Sequence, residues 1–405
     1  MDNFLDEFEW LYKGLNTRFL ADRQYEWIPQ IWIDYFENID FVDCKQLKNA
    51  PDDLIKFIER TKELSVLKDY SSIKISKENE KLYTTIYGKN VKNKKLSEIL
   101  GMGELISRYC EKYNITRVVD VGCGVGYLLR SILLYSPNLE CIGVECDEIL
   151  CQKAREKSSN INIIRLRLNS ECDKNVLKDI FSPPNHSTAI ICLHGCGDLQ
   201  KTIIDLYLSL NEDFNPLLIT VGCCYHKMKN YDENLTKYIK WNTTALRLAC
   251  QERISKFMHF SAEDHTKHVG NFLERAKLEC LYDFIGVKRE DMSRNFARKL
   301  KYEDLKNLDD VKNLFKNVDI IVNNIDKESY DEKLREIDGV SERVKHLIEP
   351  FTMLQYYMQA VLETRLLTSR IDYIKSRTKN INISLIPISD SVSSPRNMAI
   401  VAMKE

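Results

Sequence analysis

Two short segments gather most of the side chains in this sequence that could do chemistry. One is His194-Gly195-Cys196-Gly197-Asp198 in "TAIICLHGCGDLQ"; the other is Cys223-Cys224-Tyr225-His226 in "FNPLLITVGCCYHKM". Each follows an apolar, β-prone run, so each reads as the end of a buried strand. A neutral imidazole near pH 7 can take a proton from an acceptor, and a carboxylate such as Asp198 can orient it. Strand alternation sends Cys223 and Cys224 to opposite sides. It sends His194 with Cys196, and Cys224 with His226, to one side, and those four make a tetrahedral zinc set by composition. Their spacing is not a recognised zinc pattern. Three readings stay open: thiols packed as small apolar groups with locally bonded histidines, a catalytic lining of His194, Asp198, Cys224 and His226, or a metal or covalent thiol. No metal is assigned. Asp198 also reads as the N-cap of the helix "LQKTIID".

A second constellation lies upstream. Asp120-Val-Gly122-Cys123-Gly124-Val-Gly126 sits between the apolar strand "ITRVVDV" and the apolar helix "YLLRSILLYS". Glycines let the backbone turn tightly and approach a ligand, and the following helix start favours negative charge. The dinucleotide fingerprint is G-x-G-x-x-G. Here the pattern is G-x-G-x-G with an acid two residues before the first glycine, the spacing associated with S-adenosylmethionine. That ligand has an amino-acid end, whose ammonium Asp120 can serve. Glu145, ending "LECIGVE", can accept two hydrogen bonds from a ribose diol. The cofactor set is Asp120, Gly122, Cys123, Gly124, Gly126, Glu145, Asn169 at the end of "INIIRLRLN", and His194. A structural turn is the plainer alternative.

These residues need a sheet to position them. Strands and helices alternate at short spacing from about residue 90 to 228, which predicts an α/β fold with a mostly parallel, Rossmann-like sheet. "NISLIPI" and "NMAIVAM", joined by "SDSVSSPR", would close it as an antiparallel hairpin and bring the strands to seven. The expected organisation is a helical N-terminal region (1–88), the sheet core (89–228), a helical insertion (229–345) and completion of the core by a long helix and the hairpin (346–405). Trp27, Ile31, Trp32, Tyr35 and Phe36 recur at helical spacing and read as core. Lys92, Lys94 and Lys95 read as a solvated basic turn, Arg396 as a tie within the hairpin, and His265 and His268 as surface polar residues.

Bulk properties bound the partners. The 405 residues carry a formal charge of −1, and residues 1–60 hold 13 acidic and 7 basic side chains, so no general attraction for DNA is expected. Thirteen cysteines, an odd number spread over a long chain, read as reduced thiols of a cytoplasmic or nuclear protein. The first residues, "MDNFLDEFEW", lack a signal pattern, and no apolar run is long enough for a membrane span. Oligomeric state is not legible.

"VVDVGCGVGYL" with "GVECDE" resembles the first two motifs of class I S-adenosylmethionine-dependent methyltransferases. "LHGCGDL", "VGCCYHKM" and "SSPRNMAIVA" resemble, in the same order, segments of the methyltransferase-like protein 25 family. The resemblance is strongest over about 90–228 and 346–403. It implies the seven-stranded methyltransferase sheet and S-adenosylmethionine as cofactor. The pairing of a His-x-Cys-Gly with a Cys-Cys-x-His segment is also similar to eukaryotic tRNA 2′-O-methyltransferases, but no Cys/His-rich zinc-finger spacing precedes it here. No Asn-Pro-Pro-Tyr or Asp-Pro-Pro-Tyr clamp follows the fourth strand. The acceptor is therefore expected to be RNA or protein, with a catalytically silent binding or scaffold protein on the same fold as the alternative.

Overall fold

The computed structural model describes residues 1–39, 46–67, 81, 92–169, 171–184, 186–210, 217–229, 242–289, 292–315 and 324–404. The "FNP" lead into the fifth strand and parts of the expected N-terminal region and insertion lie outside them. Seven strands form one sheet: β1 Arg117–Val121, β2 Glu140–Glu145, β3 Asn162–Arg165, β4 Thr188–Cys196, β5 Leu217–Cys223, β6 Ile381–Pro387 and β7 Met398–Lys404. Their order is β3-β2-β1-β4-β5-β7-β6. The pairs among β1 to β5 are parallel, whereas β7 runs antiparallel to both β5 and β6. This is the expected class I methyltransferase arrangement with its closing hairpin.

Both faces of the sheet are covered, which is why its strands read as continuous apolar runs. Successive residues go to opposite faces. Val118, Ile191, Ile219 and Val401 join Met102, Ile106, Leu129 and Ile132 on one side. Val119, Ile190, Leu218 and Ile400 join Ile203, Tyr207 and Leu367 on the other. Each such side chain stabilises the fold by about 1.5–3 kcal/mol when fully buried. The third strand is shorter than "INIIRLRLN" suggests. It stops at Arg165 because its partner β2 ends at Glu145, the residue in register with it.

Contacts divide the chain differently from the sequence boundaries. One unit comprises Met1–Asp2, Leu64–Lys256 and Gln359–Glu405; the other comprises Asn3–Glu63 and Phe257–Met358. The N-terminal helices and most of the expected insertion thus share one body, and 242–256 belongs with the sheet. In the helical unit Trp32, Phe36 and Phe57 are buried, with Trp32 and Phe57 rings 5.6 Å apart. Ile31, expected in that core, is 55% exposed. Ile31 directly precedes buried Trp32, and one step along a helix turns a side chain away from its neighbour's stripe. His265 and His268 are not free surface residues either. Their Nδ1 atoms lie 2.5 and 2.6 Å from the two oxygens of buried Glu349.

Candidate active site

The Gly-rich turn follows β1 directly. Gly122, Gly124 and Gly126 all have φ between +58° and +77°, the left-handed region that glycine enters without a Cβ clash. The turn is pinned to β2, since Gly122 and Cys123 donate their N–H groups to Val144 O at 2.7 and 3.2 Å. The Cys123 side chain packs into the sheet core, so only its backbone faces a ligand. Among the described residues a Cβ placed on Gly124 would meet nothing within 4 Å, so the turn has an open side there. The helix Tyr127–Tyr135 starts here, with first-turn N–H groups that have no partner within the helix.

Two carboxylates flank the turn. Glu145 points into it. Its Oε2 accepts from Gly124 N at 3.0 Å, and its Oε1 from Cys146 N at 2.8 Å and Asp147 N at 3.0 Å. Asp120 is 3% exposed and has no hydrogen-bond or ion-pair partner among the described residues. Burial, with the charge of Glu145 added, pushes its carboxyl up to about 7. A buried carboxylate without a donor, beside an open glycine turn, fits the ammonium end of S-adenosylmethionine. Glu145, one strand over, fits the ribose. Asn169 is exposed beyond the end of β3, and its Oδ1 accepts from Glu171 N at 3.0 Å in a local turn.

His194 departs from the expected alternation. The β4–β5 register runs Leu193 with Val221, then Gly195 with Gly222, so His194 is the extra residue of a bulge, with φ at 77°. The bulge re-aims its ring. His194 Nε2 lies 3.0 Å from Glu98 Oε2, and the other Glu98 oxygen accepts from the Ser394 hydroxyl. Glu98 is 2% exposed on the helix Asn93–Lys112. Burial works to raise its carboxyl, but hydrogen bonding and charge from His194, with Ser394 and Lys94, hold it below the usual range. The side chain of His194 itself keeps 33% of its surface accessible. The result is an imidazole oriented by a buried carboxylate, an arrangement suited to proton removal.

The other expected groups are separated. Asp198 sits at the N-cap of the helix Leu199–Ser209 without capping it through its side chain; its two oxygens accept from Lys229 N at 3.0 and 3.1 Å. It thus ties down the chain after β5. His226 is not beside His194 and Cys196; its Nδ1 is 3.3 Å from Cys250 Sγ. Burial, then Arg247, Lys227 and Arg396, hold its imidazole below its usual value, which favours the neutral form.

The thiols regroup as well. Cys196 and Cys223 are register partners, with Sγ atoms 3.0 Å apart. Cys224 has φ at 48° and turns back, so that its Sγ lies within 4.8 Å of both. Cys223 and Cys224 therefore do not point apart, and the four-ligand set with both histidines does not form. The hydrogen bond from Cys223 lowers the Cys196 thiol to about 6, with Cys224, Lys227 and His194 aiding and burial opposing. The same bond, and burial, push Cys223 up.

Arg396 and Lys95, read from the sequence as a hairpin tie and part of a solvated turn, meet two residues that the sequence did not single out, Arg253 and Lys157. Arg396 Nη1 donates to Cys250 O at 2.9 Å and Arg253 Nε to Pro395 O at 2.8 Å, so the "SSPRN" turn is tied to the distant segment 250–253. Arg253 also pairs with buried Glu363 at 3.3 Å. Lys95 and Lys157 lie over the Tyr127 ring at 4.7 and 4.9 Å.

A family profile described as "Methyltransferase domain" matches residues 94–231. "Probable methyltransferase-like protein 25" of Homo sapiens is 25% identical over 276 residues, covering 63% of this chain and 43% of that protein. The Mus musculus protein of the same name is 23% identical over 233 residues, covering 53% of this chain and 37% of its own. The chain thus spans less than half the length of these curated relatives. Among solved structures, the plantazolicin methyltransferase BpumL with SAH is 15% identical over 47% of this chain and 68% of that one, at a TM-score of 0.26. CalS10, an amino pentose methyltransferase from Micromonospora echinaspora, is 14% identical over 38% and 58%, at a TM-score of 0.25. Likenesses of that size leave the acceptor unassigned.

Proposed function

We propose that this chain, which carries a methyltransferase domain and is similar to methyltransferase-like protein 25, is an S-adenosylmethionine-dependent methyltransferase acting on RNA or protein. One observation carries the cofactor: among the described residues Asp120 is buried without a donor, at the head of a glycine turn that is open at Gly124. When bound, S-adenosylmethionine supplies a methyl group on a sulfonium, a good electrophile. The chain's own residues then have three tasks. Asp120 holds the ammonium, and Glu145 a sugar hydroxyl. His194, oriented by Glu98, takes the acceptor's proton. A base of that kind suits a hydroxyl, amide or imidazole acceptor, and places 10²–10⁴-fold of rate on proton removal.

A second reading, a silent methyltransferase-fold binding or scaffold protein, has one observation in its favour. Glu145 already accepts from three backbone N–H groups, as a purely structural turn would require. Each carboxylate oxygen has two lone-pair sites, so Oε2, with one donor, retains capacity for a hydroxyl. Calorimetry with S-adenosylmethionine tests the cofactor. Transfer of a tritiated methyl to total RNA against total protein, from cells lacking the gene, tests turnover and separates the acceptor classes. Binding without transfer to either pool supports the scaffold reading. The proposal extends to a reducing, cytoplasmic or nuclear location, supported by twelve free thiols among the described residues. No described helix is long and apolar enough to cross a membrane.

A further inference from the structure

We propose that Cys196, Cys223 and Cys224 bind a zinc ion as three thiolate ligands, with the fourth position left to an exchangeable ligand. The three sulfurs lie within 4.8 Å of one another, and among the described residues no other three Cys, His, Asp or Glu side chains group in this way. Composition alone does not produce the cluster, since nine further described cysteines stand outside it.

The backbone builds the group from both strand ends. Cys196 and Cys223 close β4 and β5 as register partners, so their side chains share a face. Cys224 would leave that face if the strand continued. Its left-handed conformation, φ 48°, brings it back. A non-glycine residue there costs about 1–2 kcal/mol, which packing of one small thiol does not explain.

The Cys196–Cys223 distance suits a metal about as well as a disulfide, and the third sulfur of Cys224 decides for the metal. Zinc–sulfur bonds of about 2.3 Å at tetrahedral angles place thiolates roughly 3.8 Å apart. The Cys196–Cys223 sulfurs, now 3.0 Å apart, need to open by only about 0.8 Å. A disulfide would instead require closure by about 1 Å and leaves the placement of Cys224 unused. Soft thiolates select zinc or copper(I) among common ions, and zinc imposes no geometry of its own.

Three thiolates on a dication leave a net −1. Cys196 and Cys224 are only partly buried, so a fourth ligand has access.

The test uses the full chain, expressed with zinc and purified under reductant without chelator. About one equivalent of zinc is expected by elemental analysis. Cobalt(II) added to metal-free protein should give the near-ultraviolet sulfur-to-cobalt charge-transfer band of a thiolate site. Cys196→Ser and Cys224→Ser should lose the band and most of the zinc. Cys146→Ser, an exposed thiol outside the group, should keep both. Three results overturn the proposal. One is folded wild-type protein, by circular dichroism, with neither zinc nor a cobalt band. Another is metal retained in both cluster variants. The third is a Cys196–Cys223 disulfide recovered by mass spectrometry from protein never exposed to oxidant. If a variant fails to fold, the wild-type titration decides alone.

Discussion

If Asp120 holds the cofactor's ammonium, binding must be coupled to its ionisation, and the pH dependence follows. Burial and Glu145 raise this carboxyl to about 7, so below that pH the unliganded protein keeps it protonated. Only the carboxylate pairs with an ammonium. The apparent dissociation constant therefore grows by the factor one plus ten to the power of pKa minus pH. That is about 11-fold at pH 6, about twofold at pH 7 and close to one at pH 8. Affinity should thus improve about fivefold from pH 6 to pH 7, about 1 kcal/mol. It should level off and then weaken from about pH 8, where the ligand's own α-amino group loses its proton. Calorimetry in buffers of different ionisation enthalpy should find close to one proton released at pH 6 and about half at pH 7.

The same group sets a stability slope. A carboxyl raised in the folded state stabilises the fold fully below its unfolded pKa of about 3.9, and loses that contribution as pH rises to about 7. The loss is on the order of 4 kcal/mol across that window. Asp120→Asn should flatten both the binding profile and this slope. A wild-type affinity that stays level from pH 6 to 7, or an Asn variant that retains the wild-type profile, would falsify the assignment of Asp120 to the ammonium.

Other expectations follow from the geometry. His194→Ala should lower methyl transfer by about 10²–10⁴-fold while leaving cofactor affinity within a factor of about two; calorimetry beside the tritium assay separates the two. Glu98→Gln keeps the size but not the charge of the orienting group. It should reduce transfer by at least about tenfold and shift the acidic limb of the pH–rate profile, which a merely structural residue would leave in place. His226→Ala should leave cofactor affinity unchanged and reduce transfer less than His194→Ala, because His226 is engaged with Cys250; an equal loss would place both rings at the reacting atoms. Gly101→Ala gains about 1 kcal/mol of helix propensity, yet its Cβ would lie 1.5 Å from Ile388 O. The clash dominates, the melting temperature should fall, and an unchanged melt would show that the helix Asn93–Lys112 is free to shift.

Local signals made the sheet legible. The glycine turn, the apolar strands of Val118–Val121 and Ile190–Leu193, and the late hairpin each carry their own pattern, and all point to one fold. Asp120 and Glu145 were legible because their spacing is fixed by the strands that hold them. Glu98 was not. In the amphipathic run "KKLSEILGMGEL" a glutamate reads as solvent-facing, and only the positions of His194 and Ser394 show why it is buried. The thiol grouping failed for a different reason. Alternation assumes a regular strand, while a bulge at His194 and a left-handed Cys224 break the period where the chemistry lies. Functional sites are where such local irregularity is tolerated. The association of Asn3–Glu63 with Phe257–Met358 depends on contacts between distant segments, which no local period encodes.

On the side away from β4, the neighbour of β5 is β7, the last of the seven strands to leave the ribosome. During synthesis β5 must wait, one edge bare, while the intervening helices are made. An unpaired apolar edge is a template for wrong pairing. Ser394 precedes β7, so the nascent chain can assemble its cofactor turn well before the contact that steadies Glu98 exists. Translation order therefore separates the two halves of the site in time, and release of the closing hairpin is the moment at which they are joined.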